Sequence, residues 1–223
     1  MTVQVLLADD QALIRGGLRA LIDSEPGLEV VGEAEDGRKA VDKARSLRPD
    51  VVLMDIRMPG VDGLQATQEI CADPALGHTK VVILTTFGQD DYVLAAFRAG
   101  ASGFMMKDTH PAEMLLAVRT VAAGDSLLLP HRTRHLVAKY IHREASTPSP
   151  ISLNRLSPRE QEILRYVGRG QSNDEIAANL HLSPLTVKTH VSRILTKLDA
   201  RDRVQLVVLA YESGLLRPGQ DDI

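Results

Sequence analysis

The sequence predicts a doubly wound α/β domain followed by a smaller, wholly helical one, and three observations carry that prediction. Five short runs rich in Val, Ile and Leu alternate with segments of helical period up to about residue 123. Strand signals then stop, and three serine-led helix starts follow one another from Ser157. Between the two regions, Ala145-Ser146-Thr147-Pro148-Ser149-Pro150-Ile151-Ser152 has the composition of a linker.

The strand runs are Val3 to Ala8, Leu28 to Gly32, Val51 to Met54, Lys80 to Thr85 and Gly103 to Lys107. Leu13, Gly17, Leu18, Leu21 and Ile22 form one helical stripe, and Ala40, Ala44 and Leu47 another. Leu94, Ala95 and Phe97 mark a further helix, and Met114, Leu115, Val118 and Val121 follow the fifth run. Five strand and helix pairs imply a parallel sheet covered on both faces, in a flavodoxin-like fold. Such sheets bind ligands at the carboxyl ends of their strands, near the point where strand order reverses. Leu136, Val137, Tyr140 and Ile141 place one more helix in the linker, so the expected divisions are 1–123, 124–152 and 153–217.

In the last division Ser157-Pro158-Arg159-Glu160 and Ser172-Asn173-Asp174-Glu175 are capping boxes, and Ser183-Pro184 is a serine cap followed by proline. Gly168 and Gly170 close the first helix, and a fourth runs from Val204 to Glu212.

Composition narrows the function. The chain has 223 residues, 44% of them apolar and 25% charged. It has no apolar run of about 18 residues or more, and no basic leader with a small-residue cleavage site. A cytoplasmic protein without a membrane partner is expected. The lone Cys71 excludes a disulfide scaffold and a cysteine-based zinc site. Residues 1 to 150 carry 16 basic against 20 acidic side chains, whereas residues 151 to 217 carry 10 against 7. A mildly basic module behind an acidic one suits nucleic-acid contact by the second.

Asp9 and Asp10 end the first strand, Asp55 the third, Thr85 the fourth and Lys107 the fifth, so all converge on one edge of the sheet. Three neighbouring carboxylates repel one another and are stable mainly around a cation, and an oxygen-only set suits Mg²⁺. With Pro59 and Gly63 at their offsets from Asp55, residues 3 to 123 resemble the receiver domain of two-component response regulators. The resemblance implies that Asp55 accepts phosphate from a sensor histidine kinase. It implies that Asp10 and Asp55 bind Mg²⁺ directly, Asp9 through water, and Arg57 through its carbonyl. Thr85 and Lys107 would receive the phosphoryl oxygens. Phe104 stands where such domains carry a switch aromatic, with simple core packing as the alternative.

Two other classes fit the sequence less well. Haloacid-dehalogenase-like phosphohydrolases need a second acid two residues after the nucleophile, where Arg57 stands here, so catalytic turnover is not expected. A flavin or nucleotide module would carry a glycine-rich loop after the first strand, where Asp9-Asp10-Gln11-Ala12 stands instead.

Residues 174 to 180, the turn His181-Leu182-Ser183 and the helix from Pro184 have the spacing of a helix-turn-helix. Val187, Val191, Ile194 and Leu198 share one stripe of the second helix. Lys188, Thr189, Ser192, Arg193 and Thr196 lie opposite, on a face without acidic residues that suits a phosphate-lined major groove. Leu156 to Glu160, Asn173 to Ala177 and Ser183 to Val191 resemble the LuxR-type domain, which with the receiver places the chain in the NarL/FixJ subfamily of response regulators. That resemblance implies base reading by Lys188, Thr189 and Ser192 and phosphate contacts by Thr186, Arg193 and Lys197. His190 is either a partly buried core histidine or a further contact. It also implies promoter DNA as a partner and a homodimer when phosphorylated or DNA-bound. The last helix, apolar on several faces, is either packing under the first helix of the domain or the dimer surface.

Overall fold

The computed structural model describes residues 2–86, 90–124 and 153–216, without the side chains of Asp90, Asp91 and Leu94. The expected linker helix around Leu136 to Ile141 therefore lies outside the described residues. The chain divides into two compact units, 1–127 and 128–223.

The first unit alternates strand and helix: β1 (Val3–Ala8), α1 (Ala12–Asp23), β2 (Leu28–Ala34), α2 (Gly37–Leu47), β3 (Val51–Asp55), α3 (Gly63–Ala72), β4 (Lys80–Thr85), α4 (Asp90–Arg98), β5 (Gly103–Met106) and α5 (Pro111–Ala122). The sheet order is β2-β1-β3-β4-β5, with every pairing parallel. Because Val51, Val52, Leu53 and Met54 are apolar without alternation, β3 is buried on both faces. On one side Val5, Leu7, Leu53 and Leu84 pack with Leu18 and Ile22 of α1 and with Met114, Val118 and Val121 of α5.

Two helical stripes differ from the sequence expectation. The inward arc of α1 is Ile14, Leu18, Leu21 and Ile22, while Leu13 is 88% exposed and Gly17 faces solvent. The true arc follows i, i+4, i+7 and i+8 from Ile14, one residue further round the helix. In α2 the buried set is Gly37, Ala40, Val41 and Ala44, and Leu47 is partly exposed beside Gly32. The helix expected around Leu94, Ala95 and Phe97 forms as α4, and among its described side chains Val93, Ala96 and Phe97 are buried and Ala95 half-buried.

The second unit holds α6 (Pro158–Gly168), α7 (Asn173–Leu180), α8 (Pro184–Leu198) and α9 (Arg203–Glu212). Both capping boxes form, at Ser157 with Glu160 and at Ser172 with Glu175, and Ser183 accepts from the Thr186 amide. His181 and Asp199 end α7 and α8 in the left-handed region, which turns the chain sharply. Val204, Leu206, Val207 and Val208 of α9 are all buried, and α9 packs along α6. Leu209 and Tyr211 of the same helix are only half-buried, so packing takes up four of its six large apolar side chains and leaves two partly at the surface.

Glu160 is only 3% exposed yet ionic. Lys197 Nζ donates to its two carboxylate oxygens at 2.9 and 2.7 Å, and the Ser157 amide donates at 2.7 Å. The Lys197 ammonium, aided by the Ser157 donors, outweighs burial and holds the Glu160 carboxyl at about 2. Folding lowers this pKa, so the stabilisation is complete above the ordinary glutamate value and is lost as pH falls towards about 2. Allowing for the partial exposure of Lys197, it amounts to about 2 kcal/mol. Lys197→Met is expected to lower the unfolding temperature of the second unit at neutral pH, because it leaves a buried carboxylate unpaired. Thermal unfolding of the full chain across the acid range checks this: the variant should lose less stability on acidification than the wild type, and parallel losses would reject the assignment.

Candidate phosphoacceptor site and nucleic-acid interface

Strand register assembles the acidic site. Ala8 pairs with Met54, so Asp9 and Asp55 come side by side at the reversal of strand order between β1 and β3. Asp55 pairs with Leu84, and Thr85 with Met106, which brings Thr85 and Lys107 to the same edge. Each carboxylate of Asp9, Asp10 and Asp55 offers an oxygen, and these oxygens lie within 4.8 Å of one another. A triad of oxygen donors this close fits a small hard cation such as Mg²⁺.

Lys107 reaches into this cluster. Its Nζ lies 2.6 Å from Asp9 Oδ2 and 3.0 Å from Asp55 Oδ2, with its side chain 7% exposed. Burial pushes the Asp55 carboxyl up, and the Lys107 ammonium opposes that without cancelling it. Burial also disfavours the charge on Lys107, but its bonds to Asp9 and Asp55 outweigh this and raise its pKa. The lysine is therefore held as a cation where a phosphoryl group on Asp55 would place negative charge. Beside these groups lies a cavity of about 160 Å³, lined by Asp10, Gln11, Asp55, Ile56, Arg57, Thr85, Thr86, Tyr92 and Lys107.

All of the expected receiver residues meet here except Phe104. That residue is half-buried on β5 beside Ile83, and it does not line the cavity. Arg57 is exposed, its guanidinium 5.7 Å from the Tyr92 ring centroid.

Several contributors were absent from the sequence expectation. Arg15 donates to the Asp9 carbonyl at 2.6 Å and to Glu33 at 3.2 Å, so it braces the backbone that carries the acidic pair. Arg19 also donates to Glu33, at 2.5 Å, and with Arg15 holds that carboxyl below the usual range against its partial burial. The Gln11 amide donates to Asp9 Oδ1 at 2.9 Å. Tyr92 had no signal at all, since only the packing of α4 brings it near Arg57.

In the second unit, Val187, Val191 and Ile194 are buried and Leu198 half-buried, while Lys188, Thr189, Ser192, Arg193 and Thr196 are exposed, as the helical period requires. The Thr186 hydroxyl shares a 2.8 Å hydrogen bond with that of Ser183. Lys197 differs from expectation: its ammonium is committed to Glu160, so it is not a free cation for a phosphate. His190 is half-buried with its Nδ1 enclosed, which favours the core alternative, although that nitrogen has no hydrogen-bond partner.

Comparison with known proteins matches residues 5–119 to the family described as response regulator receiver domain, and residues 154–210 to bacterial regulatory proteins of the luxR family. An uncharacterized transcriptional regulatory protein of Bacillus subtilis strain 168, YxjL, is 39% identical over 96% of this chain and 98% of its own length. The transcriptional regulatory protein LiaR of the same organism is 38% identical over 96% and 99%. Among solved structures, the response regulator ChrA of a heme-sensing two-component system is 33% identical over 96% of this chain and 99% of its own, with a TM-score of 0.51. Among the described residues, no helix is long and apolar enough to cross a membrane.

Proposed function

The chain belongs to the two-component response regulators that join a receiver domain to a LuxR-family DNA-binding domain, and on that premise we propose that Asp55 accepts a phosphoryl group from a sensor histidine kinase and thereby controls binding to promoter DNA. The observation that supports this most is the convergence of Lys107 on Asp9 and Asp55 beside the acidic triad.

An Asp55 oxygen attacks phosphorus, the bond from phosphorus to the kinase's histidine nitrogen breaks, and that nitrogen keeps the electron pair. Asp10 and Asp55 would hold Mg²⁺ directly, Asp9 would hold it through water and Arg57 through its carbonyl. When bound, the ion offsets charge on the transferring oxygens. Thr85 and Lys107 gather the oxygens of the new aspartyl phosphate, drawing the ends of β4 and β5 towards it and repositioning Phe104. In the second unit, Lys188, Thr189 and Ser192 read base edges, while Thr186 and Arg193 contact phosphates. Phosphorylation favours two copies on two half-sites, where the second contact becomes effectively intramolecular. The chain acts as a regulator rather than an enzyme with turnover, because no acid stands two residues beyond Asp55.

Incubation with acetyl phosphate and Mg²⁺, followed by intact-mass measurement, tests the acceptor. One phosphoryl adduct is expected on the wild type and none on Asp55→Asn. An adduct of equal yield on Asp55→Asn would reject Asp55.

A further inference from the structure

Leu185 is the second residue of α8 and is 74% exposed, a position that costs solvation and gains nothing from the fold. Its place on the helix is informative. Leu185, Lys188, Thr189 and Ser192 are spaced i, i+3, i+4 and i+7, so the leucine heads the exposed stripe assigned to base reading. Two local bonds hold the backbone on either side of it. The Ser183 cap accepts from the Thr186 amide at 3.1 Å, and the Thr189 hydroxyl donates to the Leu185 carbonyl at 2.9 Å.

The first turn of a groove-reading helix is the part that reaches the base edges. There the major groove offers one apolar group, the C5-methyl of thymine. We infer that Leu185 packs against a thymine methyl at the edge of each half-site, and so selects thymine over cytosine at a position that the polar readers do not cover. The inference rests on the proposed groove-reading role of α8. DNA is the occupant favoured over a protein surface because the flanking positions of the stripe are cationic or hydroxylic and the whole helix lacks acid.

The test uses the full chain and a duplex that it selects from a randomised library, with each thymine replaced in turn by deoxyuridine, which lacks only the methyl. One thymine per half-site is expected at which the replacement weakens binding about fourfold. Leu185→Ala should weaken binding to the thymine duplex by a similar factor and abolish the difference between the two bases, with unchanged thermal unfolding. Lys188→Ala serves as the control for the underlying reading: it should lose specific affinity but keep the thymine preference. Unchanged specific affinity in Lys188→Ala would count against the groove-reading role itself. A thymine preference that persists in Leu185→Ala, or no thymine showing any preference, would overturn the inference alone. So would an altered sedimentation coefficient of DNA-free Leu185→Ala with the preference intact, which would assign the leucine to a protein contact.

Discussion

Gly63→Ala is expected to lower the stability of the receiver domain by about 3 kcal/mol or more, and its unfolding temperature by roughly 10 °C. A Cβ at Gly63 would stand 1.8 Å from the Asp55 carbonyl oxygen and 2.8 Å from its carbon. Neither neighbour is a side-chain end that can swing away, so the start of α3 must move off the end of β3. The Gly63 amide also donates to the Ile56 carbonyl at 2.9 Å, and the same displacement strains that bond. Because the shifted segment carries Asp55 and Arg57, Mg²⁺ affinity should fall together with stability. Gly16→Ala supplies the contrast, since a Cβ there meets nothing within 4 Å and the residue lies inside α1. That variant should be neutral or stabilised by about 0.5–1 kcal/mol. Calorimetric unfolding of both variants, with and without Mg²⁺, checks the pair. Equal melting of Gly63→Ala and wild type would show that the close approach is not required.

Lys107→Ala is expected to slow phosphoryl uptake by about 100-fold, the scale seen when one preorganised donor to a developing charge is removed. Its second consequence is thermodynamic. Without Mg²⁺ the variant keeps three carboxylates in one cluster and loses the buried cation that offsets them, so it should melt well below the wild type. Added Mg²⁺ restores positive charge at the same place and should therefore stabilise the variant more than the wild type. Melting curves across a Mg²⁺ titration, combined with a time course of acetyl phosphate uptake, separate the two effects. Wild-type uptake by Lys107→Ala would remove the lysine from the phosphoryl site.

The acidic site was legible because it is built from strand ends. Once five parallel strands are recognised, Asp9, Asp10, Asp55, Thr85 and Lys107 must share one edge, and the register pairs bring them there. What escaped was set by packing or by distant partners. Leu13 is as apolar as its neighbours, yet the α1 arc begins at Ile14, a rotation of one residue that a short amphipathic stripe does not determine. The Arg15 to Glu33 and Lys197 to Glu160 pairs join residues 18 and 37 positions apart, where no local period applies. Gly63 could be placed by its offset from Asp55, but its reason is a backbone approach visible only in three dimensions. The α9 surface was open to two readings for a similar reason: how much of it is covered depends on its packing against α6, which no period along α9 itself determines.

The dependence of DNA affinity on Asp55 phosphorylation bears most directly on the proposal that the first domain governs the second. Fluorescence anisotropy on a selected two-half-site duplex, at fixed salt, would compare full-length protein before and after acetyl phosphate treatment with treated Asp55→Asn. The phosphorylated wild type is expected to bind roughly tenfold more tightly or better than the other two, which should agree with each other. Equal affinity for all three would contradict control of DNA binding by Asp55.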